Sequence, residues 1–183
     1  GIGLIAGATL LTLLARDKNA EETNKGIQNA GQADGGLGEV ITNILGQNKF
    51  IGYSAGSSPG TKIHPLAKEI AAEMGYDPNK LYSKSWDEFI KPDAVKMDII
   101  ITVCDNAANE TCPIFPGHPM KVHWGLKDPS NFKKESMKEE FKKTAFNLKK
   151  KINLLINLSV ESFLNTDTLR TKLLEIHKIT ASS

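Results

Sequence analysis

Two cysteines in 183 residues are too few to staple a small secreted fold, so a reducing, cytoplasmic setting is expected. Charge of one sign is also scarce: 23 basic against 21 acidic residues leave a formal charge of only +2. That balance argues against a strongly charged partner, nucleic acid included, and the basic runs Phe132-Lys133-Lys134 and Lys149-Lys150-Lys151 read as solvated helix faces. The apolar residues 1–15 fall short of the ~20 needed to span a bilayer, and no basic region precedes them. Contact with a membrane is left open through that stretch alone. His64, His118 and His123 are scattered among prolines and loops with no metal-ligand spacing, so no metal is expected, and no internal repeat is visible.

What the chain does have is concentrated between residues 97 and 129. Asp98-Ile99-Ile100-Ile101-Thr102-Val103 is a short, continuous, β-branched run, the pattern of a strand buried on both faces of a parallel sheet. Chemistry is therefore expected at its far end. Both cysteines lie there: Cys104 follows the run at once, and Cys112-Pro113 comes after a polar loop. His123-Trp124-Gly125 and Asp128-Pro129 come next. On the residues alone, the two thiols read as buried structural cysteines before they read as a redox pair. Asp128, ahead of a proline, reads as a turn or N-cap aspartate.

Around this centre the pattern is that of one α/β domain. Residues 17–29 are polar, with Ala20-Glu21-Glu22 suited to a surface helix, and 31–38 form a glycine-rich loop. Residues 39–45 carry apolar side chains at helical spacing, with Gly46 as the stop. Gly35, Gly36 and Gly38 open that helix and could aim backbone N–H groups at an anion, although a plain linker has the same composition. A second strand is expected over 50–57, a helix entered through His64-Pro65 over 66–74, and a short helix over 86–90. After Pro129, the spacing of Met137, Phe141, Leu148, Ile152 and Leu155 predicts a long helix. Thr166-Asp167 would cap a last short helix to about residue 177.

Taken in order, Tyr53-Ser54-Ala55-Gly56-Ser57, His64-Pro65-Leu66-Ala67, Ser83-Lys84-Ser85-Trp86-Asp87-Glu88-Phe89, Thr102-Val103-Cys104-Asp105-Asn106-Ala107-Ala108, Cys112-Pro113 and His123-Trp124-Gly125 resemble one family. It is that of the thioredoxin-coupled arsenate reductases, which share the low-molecular-weight tyrosine phosphatase fold. The resemblance covers residues from about 37 onward, helical tail included. It implies a three-layer α/β/α sandwich around a short parallel sheet, with the working face at the C-terminal strand ends. It also implies arsenate or phosphate as the oxyanion, thioredoxin as reductant, and no cofactor. Residues 1–36 then form an atypical N-terminal segment and 37–183 the family domain.

In that family a first buried strand runs into a Cys-x5-Arg-Ser loop, whose cysteine attacks the oxyanion while the arginine clamps its oxygens. A second thiol attacks the first and releases arsenite, and a third attacks the second, leaving a disulfide for thioredoxin. By position Cys104 matches the second thiol, Cys112 the third, and Asp128 the acid that protonates a departing oxygen. Lys84 stands where some members carry an acid that helps hold a monovalent cation, so no cation site is implied. The resemblance stops at the N-terminus, where the pattern sets Gln28 at the nucleophile and Asp34 at the arginine. Neither side chain does that work. The expected function is an arsenate-reductase-like protein impaired by that loss. The alternative is a non-catalytic domain that binds oxyanions or responds to redox state.

Overall fold

A computed structural model describes residues 11–16, 26–29, 36–47, 49–56, 62–104 and 113–181. The sheet is ordered by apolarity. Ile99, Ile100, Ile101 and Val103 expose nothing, so β4 (Ile99–Cys104) is covered on both faces, as the middle layer of an α/β/α sandwich requires. Its companions are β1 (Leu11–Arg16), β2 (Gly26–Asn29), β3 (Phe50–Ser54) and β5 (Met120–Leu126), in the order β2-β3-β1-β4-β5. β2 runs parallel to β3 and β4 parallel to β5, whereas β1 is antiparallel to both β3 and β4.

The α/β/α sandwich with its short parallel pairings is the fold the sequence predicts, and the reversed β1 between those pairs is an added feature of it. The two N-terminal strands are sorted by polarity: Leu11-Thr12-Leu13-Leu14 takes the central slot, and the polar Gly26-Ile27-Gln28-Asn29 takes the edge among the described strands. Because β1 is reversed, its last residue, Arg16, lies opposite Phe50, at the far end of the sheet from Cys104. β2 instead ends with Asn29 opposite Ser54, on the side where Gly36 lies. Gly26–Asn29 is thus a strand within the polar stretch 17–29. The helix expected around Ala20-Glu21-Glu22 and the loop residues 31–35 lie outside the described residues.

α1 (Leu37–Leu45) buries Leu37, Val40 and Ile41 completely. It lies so close to β3 that a Cβ on Gly52 would come within 2.8 Å of the Glu39 carbonyl and one on Gly46 within 2.5 Å of the Phe50 carbonyl. Described pairs join β1 to β3 at Ile51 and Phe50; at Gly52 the Asn43 side chain accepts from the backbone N–H at 2.7 Å and donates to the carbonyl at 3.1 Å. On the other face of β3, Tyr53 meets the ring of Phe89 at 5.7 Å, from the short 3-10 helix Trp86–Phe89. Helices and short turns therefore cover both sides, as successive strand residues alternate faces.

α2 (Pro65–Glu73) starts where His64 Nδ1 accepts from the Leu66 N–H at 3.2 Å, the helix-start role its sequence context suggests. α3 (Lys134–Ile156) buries Phe141, Leu148, Ile152 and Leu155 at the expected spacing. α4 (Val160–Leu164) was not foreseen. α5 (Thr166–Ala181) runs past residue 177, and the side chain of Asn165, just before it, accepts from the Thr168 N–H at 2.9 Å. Trp124 of β5, fully buried, donates to the Leu173 carbonyl at 2.9 Å and so ties the sheet to α5. Among the described residues no helix is long and apolar enough to cross a membrane.

Candidate functional site

The C-terminal ends of β3 and β4 and the N-terminus of α1 share one end of the sheet. Gly36, just before α1, has φ +86°, a left-handed conformation that glycine adopts without penalty. A Cβ there would meet Leu81 Cδ2 at 3.1 Å and Ser54 Oγ at 3.4 Å, so the turn is held both by its backbone and by lack of room. Gly38 follows, buried in the first turn of the helix. Gly35 lies outside the described residues.

Beneath this turn three buried polar side chains meet. The Ser54 hydroxyl donates to Glu39 Oε2, and Lys84 Nζ lies 3.3 Å from the same oxygen. Lys84 also donates to the Tyr82 carbonyl at 3.3 Å, and its ammonium sits 3.9 Å from the Tyr82 ring centroid. Glu39 stands at the helix N-terminus, where its charge suits the helix dipole but would repel an incoming anion. Lys84 balances that charge within the protein. Burial first, and then the charge of Glu39, raise the Tyr53 phenol above its ordinary value, so it stays protonated at neutral pH. Burial likewise raises Tyr82, with Glu88 and then Glu39 adding to the effect.

The sequence marks these residues one by one and does not show that they cluster. Taken singly, Ser54 belongs to a family motif within a strand, Lys84 departs from a family position, and Glu39 starts a helix. The signal was polar residues at the ends of buried apolar runs, a pattern that becomes specific only once the fold brings those ends together. Leu81, against the Gly36 turn, also lines a cavity of about 440 Å3 whose walls include Lys62, Lys68 and Tyr82. Two ammonium groups there favour an anionic visitor.

Cys104 is the last residue of β4, paired opposite Leu126 of β5. The ladder shifts register between Thr102 and Cys104. Two residues earlier, Thr102 Oγ1 and His123 Nδ1 are 2.6 Å apart across the β4–β5 pair. Cys112 and Asp34 lie outside the described residues. Asp128 caps the 3-10 helix Pro129–Asn131, its Oδ1 accepting from the Ser130 N–H at 2.8 Å and from the Ser130 hydroxyl at 2.6 Å. This is the turn role its sequence alone favoured, and these bonds use one of its two carboxylate oxygens. Among the described residues no three His, Cys, Asp or Glu side chains are grouped to hold a metal ion.

Comparison with known proteins adds two findings. The family model for low molecular weight phosphotyrosine protein phosphatases matches residues 37–167, beginning at the first residue of α1. Curated relatives include an arsenate reductase of Bacillus licheniformis, 36% identical over 89 residues, or 48% of this chain and 58% of that protein. An arsenate reductase of Staphylococcus xylosus is 34% identical over 87 residues, 48% of this chain and 62% of its own length. One of Oceanobacillus iheyensis is 32% identical over 103 residues, 56% of this chain and 68% of its own length. The chain thus spans about three fifths of the length of the first two relatives.

Proposed function

This chain belongs to the low-molecular-weight phosphotyrosine protein phosphatase family, and on that premise we propose that it is an arsenate-reductase-like protein that retains the thiol-relay end of the site and lacks the groups that begin the chemistry. Arsenate or phosphate is the oxyanion, thioredoxin the reductant, and the cytoplasm the setting. Residues 1–36 act as a replacement segment and 37–183 as the family domain.

The observation that carries the reading is the strand that precedes the Gly36 turn. β2 carries Gln28, laddered opposite Tyr53 at the sheet edge, where the family pattern calls for a cysteine nucleophile. A carboxamide does not attack arsenic. The chain has no third cysteine to take its place. What remains supports a relay: Cys104 ends the buried strand, with Cys112 eight residues on. Arsenate reduction to arsenite takes two electrons, and two thiols closing to one disulfide release two electrons and two protons. The relay's electron balance is therefore intact, and the missing parts are the first adduct and its guanidinium clamp. In a complete relay Cys104 would attack the sulfur of the first cysteine's arsenic adduct, breaking the S–As bond and releasing arsenite. Cys112 would then attack Cys104 to close the disulfide and free the first thiol, and Asp128 would protonate the oxygen that departs as the adduct forms. With no first adduct here, none of these steps has a target.

The test is turnover of the full chain with arsenate, thioredoxin, thioredoxin reductase and NADPH, beside Cys104→Ser. The expected result is no arsenate-dependent NADPH oxidation by either protein. Turnover abolished in Cys104→Ser would overturn the impairment. A second reading, oxyanion binding without chemistry, is favoured by the Gly36 turn and the Lys62 and Lys68 groove. It predicts saturable heat on titration with phosphate or arsenate, and its absence for both anions removes that reading.

A further inference from the structure

At the end of the sheet opposite Cys104, the first residues of β4 and β5 and the α4–α5 corner enclose a cavity of about 300 Å3. Its floor is apolar: Ile99 is fully buried, and Met97, Met120 and Leu169 nearly so. Its mouth is polar, with Arg170 from the second turn of α5 and His118 from the turn before β5. His118 has φ +49°, directly after Gly117 at +90°. A non-glycine residue held in that region marks a turn whose shape the surrounding packing imposes, and such turns gather at ligand sites.

The volume stands at the small end of the roughly 300–1,000 Å3 that ligand pockets occupy, and the wall is mixed, with somewhat more polar than apolar surface facing the space, which suits an amphipathic ligand better than a wholly apolar one. The charges narrow the ligand further. Arg170 is the permanent cation of the lining, and its planar fork matches a carboxylate. Asp98, also on the wall, opposes a second negative charge. We propose that this cavity binds a small amphipathic monocarboxylate, its carboxylate paired with Arg170 and its hydrocarbon body laid over Met97, Met120 and Leu169. The site is separate from the oxyanion end of the sheet and does not depend on the reductase reading.

The chain has four methionines, of which Met97 and Met120 line the cavity and Met74 and Met137 do not. The full chain, labelled with 13C at the methionine methyls, is titrated with octanoate and, as a neutral control, with 1-octanol. Octanoate is expected to shift Met97 and Met120 saturably, to leave Met74 and Met137 in place, and to bind at least tenfold more tightly than octanol. Arg170→Gln, at an exposed position that leaves the fold intact, is expected to weaken octanoate about tenfold and to leave octanol unchanged. Three results would each overturn the proposal: no saturable shift at Met97 and Met120, equal shifts at all four methyls, or octanoate binding indifferent to Arg170→Gln.

Discussion

Lys151 is a charged residue in the wrong solvent, and replacing it with methionine should stabilise the protein. It lies on α3 with 2% of its surface exposed, its Nζ 2.9 Å from His177 Nδ1 on α5 and 5.5 Å from the Trp124 ring. Among the described residues no carboxylate pairs with it. Burial pushes its pKa down from 10.5 to about 8. A base whose folded-state pKa is depressed binds fewer protons folded than unfolded, so its cost is complete below about pH 8 and fades as pH rises toward 10.5. A drop of about 2.5 units, at about 1.36 kcal/mol each, sets that cost near 3 kcal/mol. Lys151→Met keeps the length of the side chain and removes the ammonium. It also takes away the donor to His177, at about 1 kcal/mol. The net gain is about 2 kcal/mol at pH 7, or roughly 4–8 °C in Tm for a chain of this size. Thermal unfolding at several pH values checks it. Wild type should gain on Lys151's account about 2 kcal/mol between roughly pH 7.5 and 9.5, and the variant should lack that gain. A variant less stable than wild type at pH 7, with the same pH dependence, would refute the reasoning and show that His177 and Trp124 accommodate the charge without strain.

Other substitutions probe the oxyanion end. Lys84→Met leaves Glu39 buried without its cation and should cost about 3–5 kcal/mol by urea unfolding, whereas breaking an exposed pair such as Lys138–Glu69 should leave the unfolding midpoint almost unmoved. Gly36→Ala forces a Cβ into a left-handed turn against Leu81 and Ser54; a loss of about 1–2 kcal/mol is expected, with weaker phosphate heat in calorimetry. Among the described residues Thr42 Oγ1 is buried without a hydrogen-bond partner, so Thr42→Val should raise stability by about 1 kcal/mol in the same unfolding assay. Asp128→Asn should unfold within about 0.5 kcal/mol of wild type, because asparagine caps as well as aspartate, while Asp128→Ala should lose about 1 kcal/mol.

The sequence disclosed most where polarity alone decides structure. Five consecutive β-branched residues from Ile99 announce a buried strand, and the spacing of Phe141, Leu148, Ile152 and Leu155 announces α3. His64 and Asp128 were legible because each stands before a proline that starts a turn of helix. Strand direction was not legible: Leu11-Thr12-Leu13-Leu14 has the composition of a central strand whichever way it runs, and its pairing depends on β3 and β4, about thirty-five and nearly ninety residues further on. The Glu39–Ser54–Lys84 cluster was hidden for the same reason. Each member has an ordinary local explanation, and only tertiary contact makes the three one electrostatic unit. Gly36 could be named as a glycine at a helix start, but its close approach to Ser54 and Leu81 is a property of packing.

The account turns on the claim that two thiols remain and the residue that starts their chemistry does not. Its most direct test is one turnover without reductant: the fully reduced chain is mixed with excess arsenate, arsenite is quantified by arsenic speciation, and free thiols are counted. The account predicts no arsenite above a protein-free control and two free thiols per chain. One arsenite per chain with the loss of both thiols, abolished in Cys104→Ser, would contradict it and show that Cys104 and Cys112 complete the reduction on their own.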